Sequence, residues 1–576
     1  MTSTTPAPSA TLASPLRLPN GQVLGNRIMK SALSEGLAGA DHLPGERIGA
    51  LYRRWSEGGF GLVVTGNVMV DRRHLGEPGN VVLEADSDLD GFRSWAKTVQ
   101  DGGSPVWMQL NHPGRQASPL ASTHHAVAPS SRGVAIPGVP APRALTDAEI
   151  GDIVERFATA AALADAAGFD GVQIHAAHGY LVSQFLSPLS NDRTDRWGGD
   201  IDGRMRFLLA LVHAIRDAVR PGFALGVKLN SADFQRGGFS EDDSRAVIDA
   251  IADEDIDLLE ISGGSYESPA MMGRAQSAST RAREAYFLDY AETVRAVAKD
   301  IPIAVTGGFR TRDTMARAIA DGLCDVVGIG RPAAVLPDAA GAVLRGGTTV
   351  LPAGSLRLPV PARVGAARTA RTVEGALDLQ WHTDQLHRMG DGDDPDPDRP
   401  LRRTVVSTLR RNGFDALRSR RRGVTESTDT AARKFRVERA VGRRVANPTV
   451  RALGRLGIRT SLATEIETTG RKTGLRRRVP VTAAFDTTGA WVISQHGRRS
   501  GWGANITADP AVSIRQGDRW RSGTAAFVPD DDVRARAATF ASHPALRPLA
   551  VAVARATATT PISVRISFTD IPGARP

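Results

Sequence analysis

Only one cysteine, Cys324, occurs in the 576 residues. An internal disulfide and any all-cysteine iron–sulfur or structural zinc site are therefore excluded. Apolar runs are short as well, and none approaches the ~20 residues needed to span a bilayer. The opening MTSTTPAPSATLASP (1–15) has neither a basic n-region nor an apolar core, so it reads as a disordered leader on a cytoplasmic protein. Lysine is nearly missing: of 72 basic residues six are Lys, which leaves the positive charge to arginine, the better fork for anions. No GxGxxG follows the first strand-like run, which argues against a dinucleotide-binding doubly wound sheet.

What charge there is lies unevenly. Residues 401–576 hold 33 Lys+Arg and 13 Asp+Glu, a net of +20, whereas 1–400 hold 39 and 49, a net of −10. A basic C-terminal third points to an anionic partner, with a solvated basic surface as the plain alternative. Phe414 and Phe435 alone interleave the basic stretch 401–445, too few for stacking on single-stranded nucleic acid, so no nucleic acid is expected.

From Leu16 to Leu344 short apolar runs alternate with amphipathic stretches. GLVVTG (61–66), PVWMQL (105–110), GVQIHA (171–176), ALGVKLN (224–230), LLEISGG (258–264), IPIAVTGG (301–308) and DVVGIG (325–330) are the strand candidates, with an eighth near Asn26–Leu33. Helical periodicity fills the gaps at Asp152–Ala167, Gly203–Val219 and Asp242–Ala252. This alternation predicts an α/β fold, a (β/α)8 TIM barrel, with a doubly wound sheet as the runner-up. Residues 346–390 read as an appendage, so that the barrel domain spans 16–390. The acidic, proline-rich DGDDPDPDRP opens an expected linker over 391–430, and a second domain is expected over 431–576.

Catalytic groups of such a barrel sit at the C-terminal ends of its strands. There GVQIHAAHGYL carries His175, His178 and Tyr180. Two imidazoles this close can donate hydrogen bonds to a carbonyl or phenolate oxygen, and a nearby phenol can supply a proton. The alternatives are a metal pair or two satisfied core histidines; no carboxylate or third histidine stands near in sequence, so no metal is expected. VTGGFR (305–310) and GIGRP (328–332) end the last two strand runs in glycines, followed in the second by Arg331. Either loop alone could be an ordinary turn; together, close backbone approach plus a charged fork predicts a phosphate site there.

These motifs, with NRIMKSALSE (26–35), QLNHPGR (109–115) and HAAHGYLVSQFLSPLSNDRTDRWGG (175–199), resemble the Old Yellow Enzyme (NADH:flavin oxidoreductase) family over 16–345. The resemblance implies bound FMN and reduction of activated C=C bonds of enone-type substrates, with a homo-oligomer left open. It implies that Ala32 and Ser34 lie beside the flavin's reactive edge, that Gln109 bonds the pyrimidine ring and that Lys228 stands by flavin N1 and O2. Gly307, Gly308, Gly330 and Arg331 would hold the phosphate; His175 and His178 would take the substrate carbonyl, and Tyr180 would be the proton donor. Ala32-Leu33-Ser34 and Lys228 depart from the commoner Pro-Met-Thr/Cys and Arg, which bears on redox tuning.

In the C-terminal third, EIETTGRKTGLRRRVPV (465–481) sets a glycine-bracketed basic loop between strand-like segments. It is either an anion cradle or a basic hairpin turn. AWVISQHGRRSGWGANITADPAVSIRQG (490–517) follows, and short strands with glycine-rich turns predict a small, mostly β barrel. The two segments resemble the deazaflavin-dependent nitroreductase family, a split-β-barrel group. That resemblance implies the deazaflavin coenzyme F420, with Arg471, Lys472, Thr473, Gly474 and Arg477 lining its site and Trp502 and Asn505 nearby. Members of that family that reduce substrates directly often use a tyrosine late in the domain; all five tyrosines here (52, 180, 266, 286 and 290) lie before it, so the resemblance implies a domain that supplies electrons to the barrel. Direct reduction by NAD(P)H is the alternative.

Overall fold

The computed structural model describes residues 11–119, 121–134, 141–263, 287–352, 368–410, 464–540 and 562–569, apart from 472, 495–496 and 518. The chain divides into two compact units, 1–419 and 420–576.

In the first unit eight parallel strands close on themselves. They are β1 (Ile28–Lys30), β2 (Leu62–Met69), β3 (Val106–Asn111), β4 (Gly171–Ala176), β5 (Ala224–Asn230), β6 (Leu258–Ser262), β7 (Ile303–Thr306) and β8 (Val326–Ile329), each bonded to the next and β8 back to β1. The expected TIM barrel is therefore present, and the predicted eighth strand is β1. Helices α1 (Glu46–Ser56), α2 (Asp90–Asp101), α3 (Asp147–Ala166), α4 (Ile201–Ala218), α5 (Glu241–Ile251), α6 (Leu288–Val294) and α7 (Arg312–Ala320) join the strands. On α1, Ile48, Leu51, Tyr52 and Trp55 recur at helical spacing and are all fully buried, the stripe such a helix turns to its sheet.

Alternation along the strands sorts the barrel interior into layers. At the bottom Met29, Leu62, Val64, Trp107, Ala224, Leu258, Ala304 and Val326 form one apolar cluster with Leu18 and Leu24 from the N-terminal hairpin. The Trp107 indole donates to Gln22 of that hairpin at 2.9 Å. Further along the strands, the inward positions turn polar: Ser31, Gln109, Gln173, Lys228, Glu260 and Thr306, with Gly328 between Thr306 and Ser31. A Cβ on Gly328 would lie 1.9 Å from Thr306 Oγ1, so only glycine fits.

Two helices, α8 (Arg368–Gly390) and α9 (Leu401–Arg410), follow the barrel in this unit. The stretch 391–400, read from composition as the start of a linker, is tied down between them. Asp391 and Asp394 pair with Arg47 and Arg54 of α1 at 2.7 and 2.8 Å. Gln385 exchanges two bonds with Asp396, and Arg399 bonds the buried Asp384. Composition signalled a solvated segment because the acids and prolines have little to bury, but the arginines facing them lie elsewhere in sequence.

The second unit is an antiparallel sheet of seven strands: β9 (Thr464–Thr469), β10 (Arg476–Val481), β11 (Ala483–Phe485), β12 (Gly489–Ser494), β13 (Ala511–Gln516), β14 (Arg519–Val528) and β15 (Ile562–Phe568). Their order is β10-β9-β13-β14-β15-β12-β11, the curled sheet of a split barrel. The core comprises Ile466, Val492, Trp502, Ile506, Val512, Ile514, Val564 and Ile566, with Trp502 and Ile506 from helix α10 (Gly501–Ala508).

Candidate active site

The polar layer and the strand ends above it make the site. His175 ends β4 and lies 4.8 Å from the Tyr180 ring and 5.1 Å from His178, centroid to centroid, edge to face in both cases. His178 has φ +61° and Gly179 φ +76°, a left-handed turn that folds the three side chains onto one another; a non-glycine residue held there marks stored strain. The turn is pinned by the His178 amide donating to Asn230 Oδ1 at 3.2 Å.

Hydrogen bonds decide what the rings offer. The Ala177 amide donates to His175 Nδ1 at 3.2 Å, so neutral His175 carries its proton on Nε2. His178 Nε2 meets Ser262 Oγ at 2.9 Å; when Ser262 donates, Nδ1–H is the remaining donor. Burial, reinforced by the His178 ring and the Lys228 charge, pushes His175 well below the ordinary imidazole value. Burial and then Lys228 bring His178 to about 3. Both are neutral donors at neutral pH. The Tyr180 hydroxyl accepts from Asn67 Nδ2 at 3.3 Å.

Below them, Gln109 Nε2 donates to Gln173 Oε1 at 2.7 Å, and Gln173 Nε2 to Glu260 Oε2 at 2.8 Å. Lys228 Nζ lies 2.9 Å from Glu260 Oε1, with both side chains almost wholly buried. Ala32 packs on the bottom cluster, and the Ser34 hydroxyl donates to Glu77. Beneath that loop the fully buried Lys30 ammonium bonds Val64 O at 2.9 Å and lies 4.0 Å from the Trp55 ring centre. Burial brings it down to about 7, although Glu35 pulls the other way.

At the ends of β7 and β8, Gly307 and Gly308 have φ +132° and +88°, backbone only glycine adopts without strain. Gly330 leads into the short turn Arg331–Ala334. β7 and β8 pair up to Thr306 and Gly328, so these glycines and Arg331 lie at neighbouring strand ends. Arg331 Nη1 also bonds Asp378 Oδ2 of α8 at 3.0 Å, a carboxylate no motif announced. The donor set therefore fits FMN: a glycine-lined end with one guanidinium, and an amide and an ammonium in the layer beneath.

Among the described residues one further cluster has metal-ligand chemistry, Asp71, His74 and His112. Its parts already serve each other. The Gly114 amide donates to His112 Nδ1 at 3.1 Å, which leaves Nε2 protonated in the neutral ring and unable to ligate. Arg73 donates to both Asp71 oxygens at 2.9 and 3.0 Å.

A family model described as the NADH:flavin oxidoreductase / NADH oxidase family matches residues 11–345. The chain belongs to that family. An NADH-dependent flavin oxidoreductase of Hypocrea jecorina is 40% identical over 346 residues, 56% of this chain and 86% of the relative. The NADH oxidase of Thermoanaerobacter brockii is 32% identical over 315 residues, 54% of this chain and 47% of the relative. Among solved structures, an Old Yellow Enzyme homologue from Zymomonas mobilis is similar with a TM-score of 0.52 and 25% identity, covering 61% of this chain and 97% of that one. Membership in the NADH:flavin oxidoreductase family makes the barrel a flavin-dependent oxidoreductase. A second model, of F420H2-dependent quinone reductases, matches residues 434–567, the deazaflavin-dependent type of domain anticipated for the C-terminal third.

In that domain the loop after β9 turns through Gly474 at φ +65°. Asn505 holds it: its Oδ1 accepts from the Arg471 amide at 3.3 Å and its Nδ2 donates to Thr468 at 3.0 Å. Trp502 is core, 8% exposed, and packs with Ile506 and the sheet. Thr473 and Gly474 are exposed. Alternation divides the three arginines of β10. Arg476 and Arg478 both pair with Glu467 at 2.7 Å, whereas a Cβ on Gly470 would meet Arg477 Cγ at 3.7 Å. Arg477 therefore lies on the loop's side. Lys472 lies outside the described residues.

Proposed function

We propose that the barrel reduces the C=C bond of α,β-unsaturated carbonyl compounds and that F420H2, held by the C-terminal domain, is the reductant. The observation that carries the first half is the group of two neutral buried imidazoles and a phenol on one strand end. FMN, when bound, supplies the hydride for such chemistry. His175 offers Nε2–H and His178 Nδ1–H to the substrate's carbonyl oxygen, drawing charge from the alkene and holding the negative charge that grows on that oxygen. Their neutrality matters, since an imidazolium pair beside Lys228 would be too costly to bury. Tyr180, positioned by Asn67, delivers its hydroxyl proton to the α-carbon.

The second half is supported by the F420H2-dependent quinone reductase match and by Arg471 and Arg477 around an exposed glycine turn, which suit a polyanionic coenzyme. A second reading, NADH reducing the barrel directly, is favoured by the names of the relatives. Anaerobic stopped-flow mixing of the intact chain with F420H2 or NADH, followed by flavin absorbance, separates the two. Rapid bleaching by F420H2 that Arg471→Ala slows supports the first; equal bleaching by NADH, indifferent to Arg471→Ala, replaces it with the second.

A further inference from the structure

Lys228 is not a lone cation. It faces Glu260 across the β5–β6 ladder, where the two are register partners, and their side-chain charges lie 2.9 Å apart at 3% and 0% exposure. A carboxylate buried this deeply persists as an anion only with a cation or several donors; here Lys228 and the Gln173 amide provide them. Glu260 also gives direction to the amides beside it. An ionised carboxylate can only accept, so Gln173 must turn its NH2 toward Glu260 and its carbonyl toward Gln109. Gln109 must then turn its own NH2 toward Gln173. The chain Gln109–Gln173–Glu260 thus has one polarity, and its far end is the Gln109 carbonyl, an acceptor. The layer carries no net charge from Lys228 and Glu260 together, and each amide in it has one orientation.

We propose that Glu260 is a positioning residue that sets the redox balance of the flavin by neutralising Lys228 and fixing the Gln109 carbonyl toward the pyrimidine ring. This rests on the reading that FMN lies with its pyrimidine end over Gln109 and Lys228. An isolated cation there would favour the anionic reduced ring over the neutral oxidised one. Glu260 converts the cation into a dipole, so reduced FMN is held less tightly and is the stronger hydride donor. The sequence departures at this site point the same way: Lys228 stands where arginine is common in the family resemblance, and a compact ammonium can be matched by one carboxylate.

The test is the midpoint potential of protein-bound FMN, measured by anaerobic photoreduction against a reference dye, together with FMN content. Glu260→Gln is expected to bind reduced FMN at least tenfold more tightly relative to oxidised FMN, a positive shift of about 30 mV or more for a two-electron couple. Lys228→Met is expected to move the potential the other way. A buried lysine without its partner can shed its proton, so Glu260→Gln is also compared with its parent in a Lys228→Arg background, where the charge is permanent. An unchanged potential in the Lys228→Arg pair of variants, with Lys228→Met still shifted, removes Glu260 from the tuning role. An unshifted Lys228→Met removes the placement of Lys228 beside the flavin, and the proposal with it.

Discussion

His175→Ala and His178→Ala test the heart of the proposed reaction. Each variant deletes one neutral donor to the carbonyl oxygen, and removal of one such donor costs about 3 kcal/mol of barrier, roughly a 150-fold loss in rate. The residues proposed to hold FMN are other ones, so flavin content should hold. The measurement is single-turnover reoxidation of the reduced enzyme by 2-cyclohexenone under anaerobic conditions. The pH profile adds a second, independent check. A histidine that titrates at about 3 is protonated in roughly one molecule in a hundred at pH 5, so the wild-type rate should show no imidazole break between pH 5 and 8. The sign follows from burial, since charging either ring in the folded state costs more than in the unfolded one. Stability is therefore lost as pH falls from the unfolded value near 6.5 toward 3. A break in rate near pH 6.5 that vanishes in His178→Ala, or enone reduction unchanged in both variants, refutes the reasoning.

Three more outcomes are expected. Lys30, at about 7 in the fold against 10.5 in the unfolded chain, binds its proton more weakly when folded. Its contribution to stability should then rise with pH between about 7 and 10 by up to ~1.4 kcal/mol per unit. The gap in barrel melting temperature between wild type and Lys30→Met should change over that window, and a constant gap contradicts it. Arg331→Ala should weaken FMN retention by about 1.5–3 kcal/mol in an equilibrium dialysis assay, whereas Asp378→Asn should tighten it by leaving the guanidinium to the phosphate. Cleaving the chain at a protease site inserted after Ser419 should slow F420H2-driven enone reduction at micromolar protein by removing the tether's effective concentration, which reaches millimolar for short flexible linkers; dithionite-driven turnover should be spared.

The barrel was legible because its strands are short apolar runs closed by glycine or polar residues, and six of the eight predicted runs end within two residues of a strand's end in the structure. Helix starts were read late. Thr146 and Glu149 form a capping box that opens α3 at Asp147, five positions ahead of Asp152, and Ser240 with Asp243 does the same for α5. His175, His178 and Tyr180 were findable because they are adjacent in sequence. Glu260, Gln173, Asn67 and Asp378 were not, because each acts on a partner from another strand or helix, and a glutamate within LLEIS looks like any strand residue until its register opposite Lys228 is known. The docking of 391–400 escaped for the same reason: its arginine partners, Arg47 and Arg54, lie more than three hundred residues away.

The apolar floor of the barrel has a kinetic consequence. With Trp107, Met29, Leu258 and the hairpin leucines filling the lower end at 0–2% exposure, the vessel is closed at its floor among the described residues and the cofactor residues lie toward the other end. Whatever recharges the cofactor and whatever is reduced by it must use the same doorway, one after the other. On the proposed reaction, turnover is expected to obey a queue: the spent reductant leaves before the alkene enters, double-reciprocal plots should run parallel, and an excess of either visitor should obstruct the other.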